Sequence, residues 1–130
     1  KIIEGYKNYV AVDGGMTDNP RFALYQAKYT VLAAQKLNEE NKVKYSIAGK
    51  CCESGDIIAN DCLLPEMQTG DLLAVLSTGA YNYSMSSNYN RIPKIPVVML
   101  NGSDDTKACA DNTLKPMKKG GPLLRQCPLV

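Results

Sequence analysis

The stretch Val43-Lys44-Tyr45-Ser46-Ile47-Ala48-Gly49-Lys50-Cys51-Cys52-Glu53-Ser54-Gly55-Asp56 decides how this chain is read. Its first six residues put Val43, Tyr45 and Ile47 at alternate positions, the period of a strand with one buried face. Gly49 ends the alternation. The eight residues from Gly49 hold two glycines, a serine, two carboxylates and two adjacent cysteines. That is the make-up of a turn that displays side chains rather than packing them. Neighbouring side chains of an extended segment point to opposite faces, so at least one thiol of the pair lines the turn.

Upstream, Tyr9-Val10-Ala11-Val12 runs into Asp13-Gly14-Gly15, a strand entering a tight turn. Asn19-Pro20 ahead of Arg21 is a helix-start signal with proline at the first position, which predicts a short helical turn near residues 21–26. Residues 29–34 read as strand because Thr30 and Val31 are β-branched, and 38–41 read as a polar turn. Downstream, 72–77 is an apolar run between Gly70-Asp71 and Gly79, the pattern of a strand buried on both faces. Residues 96–100 form a last strand, its entry confined by Pro93 and Pro96. Short strands with little helix predict a mostly β domain, a β-sandwich or distorted β-barrel of about five to seven strands. Residues 101–130 carry Asn101-Gly102 and Gly120-Gly121-Pro122 without sustained periodicity. They read as a divergent, weakly structured tail behind a β domain over 1–100.

A chain of 130 residues predicts one domain. Lys+Arg 15 against Asp+Glu 13 leaves a net +2, which argues against a strongly basic nucleic-acid binder; no nucleic-acid partner is expected. No apolar run approaches the roughly 20 residues of a membrane helix, so no membrane partner is expected either. Histidine is absent, which excludes His-based triads and His zinc sites within the chain. Tyr 8 against Phe 1 and no Trp points to rings that work through their hydroxyls. The cysteines are Cys51, Cys52, Cys62, Cys109 and Cys127. The count is odd and holds no C-x-x-C pair, so neither a disulfide framework nor a metal site is expected, and a reducing cytoplasm is. The chain opens on Lys1 without a leader-like segment and reads as part of something longer or as a processed form.

Three constellations carry chemistry. In Asp13-Gly14-Gly15-Met16-Thr17-Asp18-Asn19-Pro20-Arg21-Phe22-Ala23-Leu24-Tyr25, one helical turn puts Arg21 and Tyr25 on a shared face. There they can grip one carboxylate, the guanidinium by two parallel hydrogen bonds. The plain alternative is a surface arginine packed on a tyrosine ring. In the Gly49 to Asp56 turn, a thiol with an unperturbed pKa of roughly 8.5 can donate a proton, and the adjacent carboxylate can receive an ammonium. The plain alternative for either cysteine is a small buried hydrophobe. The third, Thr78-Gly79-Ala80-Tyr81-Asn82-Tyr83-Ser84-Met85-Ser86-Ser87-Asn88-Tyr89-Asn90, reads as an irregular binding loop after a strand. Its alternative is a solvated loop whose rings cover the core edge.

In this order and spacing the three stretches resemble the C-terminal domain of the diaminopimelate decarboxylases, over about residues 9–100. Val12-Asp13-Gly14-Gly15-Met16, Cys52-Glu53-Ser54-Gly55-Asp56, and Gly79-Ala80-Tyr81 with Ser87-Asn88-Tyr89-Asn90 carry the resemblance. It implies a β domain that follows an N-terminal (β/α)8 barrel holding pyridoxal 5′-phosphate, in a cytoplasmic head-to-tail homodimer of lysine biosynthesis. The implied reaction converts meso-2,6-diaminopimelate to L-lysine and CO2. Carried over, Arg21 and Tyr25 look like the grip on the substrate carboxylate and Glu53 like the acceptor of the distal ammonium. Cys52 looks like the proton donor to the partner subunit's site, and Tyr81 like a contact to both cofactor phosphate and substrate. Lys50 and the other lysines match no cofactor-lysine motif, so the chain by itself is expected to be inactive. Phe22 stands where the family usually has proline, and the sequence from Asn101 departs from the family's ending. Two alternatives accompany this resemblance: a decarboxylase for ornithine, arginine or carboxynorspermidine, and a non-catalytic regulatory module. Glu53, long enough to reach a distal amino-acid head, favours diaminopimelate.

Overall fold

Strand β1 (Asn8–Ala11) leads through a turn into helix α1 (Arg21–Tyr25) and strand β2 (Val31–Ala33). Strands β3 (Val43–Ala48) and β4 (Ile57–Leu64) form a hairpin. Strand β5 (Leu72–Val75) precedes helix α2 (Gly79–Met85) and a 3-10 turn at Tyr89–Arg91, and β6 (Met99–Asn101), β7 (Asp104–Thr106) and β8 (Leu124–Arg125) follow. The computed structural model describes residues 5–97, 99–101, 104–106 and 124–125.

The mostly β expectation is met, with eight strands among the described residues rather than about five to seven. One sheet has the order β1-β3-β4, a second β2-β5-β8, and β6-β7 is a separate pair. β1 runs parallel to β3 with Val10 opposite Ile47, while β3 and β4 are antiparallel. A single apolar cluster joins the two larger sheets: Val10, Val12, Tyr45, Ile47, Ile58, Ala59 and Leu64 from one side, Val31, Ala33 and Leu73 from the other. α1 packs against β4, closing one end of the cluster.

Several elements differ from the sequence reading, each for a physical reason. β4 escapes the alternation rule because it carries two extra residues. Its partners step from Tyr45–Cys62 to Ile47–Ala59 and then to Ala48–Ile57. Each irregularity adds a residue to one strand, which leaves Ile58 and Ala59 consecutively buried and Asp61 in the left-handed region at φ 56°. The segment expected to be an irregular loop forms helix α2 instead. Its composition is poor for a helix, but the Ser84 and Ser86 hydroxyls donate to the Tyr81 and Tyr83 carbonyls at 2.8 and 2.7 Å. The Tyr29 hydroxyl also donates to Asn82 Oδ1 at 3.4 Å. β5 buries Leu73 alone, with Leu72, Ala74 and Val75 half-buried, because its sheet meets the core on one face only. The short turn expected near 21–26 is α1, with Pro20 at the flanking position rather than the first helical one and Gln26 ending it at φ 56°. The expected last strand starts at Met99, after an irregular Pro96-Val97. Within 101–130, β7 pairs with β6 and β8 pairs with β5; the expectation of weak structure there otherwise falls outside the described residues.

The turn after β1 and the turn of the β3–β4 hairpin meet at one side chain. Asp56 is 3% exposed. Its Oδ1 accepts the Met16 N–H and its Oδ2 the Cys51 N–H, both at 2.6 Å. Its carbonyl accepts the Gly49 N–H at 2.8 Å, and the Gly14 carbonyl accepts the Lys50 N–H at 3.1 Å. Glycine is required at two positions around the carboxylate. A Cβ on Gly49 would overlap it, and one on Gly15 would lie 2.9 Å from Oδ2. On the far side, Lys36 Nζ meets Asp71 Oδ2 at 2.7 Å and donates to the Glu66 carbonyl at 2.8 Å.

Two stability outcomes follow from these ties. In Asp56→Asn, one of two N–H donors would face an amide NH2, so unfolding should cost about 2 kcal/mol less, or lower still, by chemical denaturation. Asp61→Asn, at an exposed left-handed position that asparagine tolerates, should stay within about 0.5 kcal/mol of the parent. Partial burial pushes the Asp71 carboxyl up, but Lys36 and the Gln68 N–H outweigh it and hold it below its ordinary value. A carboxyl depressed in the folded state contributes stability above its unfolded value, about pH 4, and loses it as pH falls through the folded one. Thermal melts should therefore show Asp71→Asn below the parent near neutrality, with the gap closing in acid; an equal gap at both ends would refute the assignment.

Candidate functional site

Arg21 opens α1, its N–H donating to Asn19 Oδ1 at 3.2 Å. One turn later Tyr25 comes onto the same face, and the guanidinium carbon lies 5.6 Å from its ring centroid. That is the shared face the i, i+4 spacing predicts, and the contact itself is the arginine packed on a tyrosine ring that the plain alternative described. α2 then adds what the spacing did not show. Tyr81 stacks on the same guanidinium at 4.9 Å, and Met85 places its sulfur 4.0 Å from Arg21 Nη1. Both rings are largely exposed, 62% for Tyr25 and 68% for Tyr81. Among the described residues Arg21 has no carboxylate partner. A guanidinium held by ring faces keeps its planar donors for an incoming anion. Arg21 and Tyr81 form one wall of a cleft of about 600 Å³ that Lys28, Ser77 and Thr78 also line. A more apolar cavity of about 420 Å³ lies behind α2, lined by Leu73, Val75, Ile95 and Val97 among others, and touches neither Arg21 nor Tyr81.

Cys52 and Glu53 sit exposed on the hairpin turn. The turn is built from consecutive amides. Cys51 N–H is held by Asp56 Oδ2, Cys52 N–H donates to Asn90 Oδ1 at 2.9 Å, and Glu53 N–H donates to the Cys51 carbonyl at 2.8 Å. Glu53 Oε1 folds back to accept the Gly55 N–H at 3.0 Å. Cys51 is half-buried beside Asp56. Burial pushes its thiol up, and the hydrogen bond and charge of Asp56 push the same way, against Thr17. Burial also pushes the Cys62 thiol up, helped by Asp61.

The structure thus brings Arg21, Tyr25 and Tyr81 together, and sets Cys52 and Glu53 together on a different element. Among the described residues no hydrogen bond or ring contact joins the two groups. Sequence reasoning assigned no role to Met85, Asp56 or Asn90. Asp56 and Asn90 belong to the motifs that carry the family resemblance, but nothing in the local pattern assigns either a contact.

The family described as pyridoxal-dependent decarboxylase, C-terminal sheet domain, matches residues 1–79. This chain belongs to that family. A diaminopimelate decarboxylase of Bacillus subtilis is 57% identical over 104 residues, which cover 80% of this chain and 24% of that protein. The diaminopimelate decarboxylase of Staphylococcus aureus is 54% identical over 77% of this chain and 24% of its own length. Among solved structures, diaminopimelate decarboxylase from Helicobacter pylori complexed with L-lysine superposes with a TM-score of 0.68 at 35% identity, over 78% of this chain and 25% of that one. The sheet domain therefore spans about a quarter of the length of the relatives it matches. One of its tyrosines is available to a phosphate group such as that of pyridoxal phosphate. Among the described residues the exposed Tyr81 hydroxyl has no hydrogen-bond partner and lies on a ring stacked against a cation, a setting suited to a phosphate oxygen.

Alkylation with iodoacetamide near pH 7, read by mass spectrometry, should modify Cys52 before Cys51 or Cys62, because the latter two are shielded and held as thiols. Raising the pH should bring Cys51 labelling up. Cys51 reacting first would contradict the burial and hydrogen bonding described for it.

Proposed function

We propose that this sheet domain is the C-terminal part of a diaminopimelate decarboxylase, a cytoplasmic homodimer that converts meso-2,6-diaminopimelate to L-lysine and CO2. The observation that carries this reading is the Arg21 guanidinium stacked on Tyr25 and Tyr81 with no carboxylate partner among the described residues. A preorganised cation with an open planar edge is what a substrate carboxylate needs. The naming of the B. subtilis and S. aureus relatives and the L-lysine in the H. pylori structure support the substrate class.

The division of labour follows from the geometry. Arg21 binds and orients one substrate carboxylate, with Tyr25 packed against its guanidinium. Tyr81 turns its hydroxyl to substrate and cofactor phosphate. Bound pyridoxal phosphate supplies the sink for the electron pair left when CO2 departs. Cys52 then gives its thiol proton to the carbon that lost CO2 and takes a replacement from solvent. Glu53 receives the distal ammonium, Oε1 remaining on the Gly55 N–H. Among the described residues no hydrogen bond or ring contact links Cys52 and Glu53 to the Arg21 group, which fits a site completed by an N-terminal pyridoxal-phosphate barrel domain and by a second subunit whose turn enters from the other side. This supports the homodimer.

The test is a full-length enzyme carrying this domain, assayed for L-lysine from meso-diaminopimelate. Faster turnover of ornithine or arginine would overturn the substrate assignment. Cys52→Ala should leave cofactor binding and KM nearly unchanged and lower kcat and kcat/KM together by roughly 10²–10⁴. Glu53→Gln should act mainly on KM, while Cys51→Ala should be close to neutral in turnover. A crippled Cys51→Ala beside an active Cys52→Ala would move the proton donor by one residue.

A further inference from the structure

The Cys52 turn is not self-contained. Its central amide, the N–H of Cys52, donates to Asn90 Oδ1 at 2.9 Å across 38 residues of sequence. Asn90 adopts φ 54° and ψ 20°, and Arg91 beside it has φ 58°. Left-handed backbone at a non-glycine residue is uncommon, and asparagine is among the side chains that adopt it most readily. One residue type therefore meets two demands, the backbone bend and the acceptor. The bend is itself anchored. Arg91 N–H donates to the Asn88 carbonyl at 2.9 Å, Asn88 Nδ2 to the Ile92 carbonyl at 2.9 Å, and Ser87 N–H to the Thr17 carbonyl at 2.9 Å. With Cys51 N–H on Asp56 and Glu53 N–H on the Cys51 carbonyl, three successive amides are fixed. The Cα–Cβ direction of Cys52 is then set by its neighbours, although the side chain is exposed. Asp56 fixes the base of the turn and also ties it to the rest of the fold. Asn90 touches the turn at Cys52 itself and through one bond.

We propose that Asn90 is a positioning residue for Cys52, aiming its thiol through the Cys52 N–H to Asn90 Oδ1 hydrogen bond. The inference rests on the reading of Cys52 as the proton donor. A reacting group displaced by about 1 Å loses on the order of 10²-fold in rate, and one lost hydrogen bond at a turn displaces less. In the full-length dimer, Asn90→Gly still permits the left-handed backbone and removes the acceptor. It should lower kcat by on the order of 10-fold with KM within about twofold, the bound-cofactor absorbance unchanged, and a larger solvent deuterium isotope effect on kcat as protonation becomes slower. Asn90→Asp keeps both bend and acceptor and should restore kcat to within about threefold of the parent. In the Cys52→Ala background, Asn90→Gly should cost nothing further, since there is no thiol left to aim. Should Asn90→Gly fail to retain cofactor, Asn90→Ser, with a shorter acceptor, is carried through the same cycle.

The outcomes separate the two readings. Cys52→Ala at parental activity would sink the proton-donor assignment. Cys52→Ala crippled with Asn90→Gly at parental kcat and isotope effect would overturn the positioning role alone. Losses from Cys52→Ala and Asn90→Gly that simply multiply in the double variant would also overturn it, because they would mark Asn90 as a general structural residue.

Discussion

One carboxylate holds this domain's two working turns in register. Asp56 is buried and divides its oxygens between the amides of Met16 and Cys51, so the turn after β1 and the turn of the β3–β4 hairpin share one anchor. Taking such a group out of water is tolerable only because its acceptors are occupied. The same closeness leaves no room for a side chain at Gly49 or Gly15. The Gly-Gly after β1 and the glycine that opens the hairpin turn are thus one requirement expressed twice. Everything exposed on the hairpin turn, Cys52 and Glu53 included, is displayed from this base.

The legible parts of the fold were those where local pattern and tertiary context agree. β3 read directly from Val43, Tyr45 and Ile47, because the strand is regular and one face meets the core. α1 read from Asn19-Pro20 and from the spacing of Arg21 and Tyr25. β4 did not, since two extra residues destroy its period and put Asn60-Asp61 in its middle. α2 did not, since Gly79, Tyr81 and Asn82 have little helical preference and the helix meets Arg21 and Tyr29 from distant parts of the chain.

The site divides along the same line. The Arg21–Tyr25 pair is a local fact and was visible as one. Tyr81 reaches that pair from a distant element, through its ring on the Arg21 guanidinium, so residue type and spacing were silent about it and only the family resemblance named it. Asn90 meets Cys52 across the fold through a backbone amide, which has no side-chain signature. Long-range bonds to the main chain are the part of a site that a single sequence conceals most completely.

The irregularity of β4 has one more consequence. β4 is the outer strand of its sheet among the described residues, and an outer strand presents unpaired amides and carbonyls to any neighbouring chain. Here that ladder is interrupted twice, with Asp61 held left-handed and charged in the gap. A second strand laid along it would find its hydrogen bonds out of step after a few residues. The edge that most resembles a template for aggregation is blunted by its own geometry.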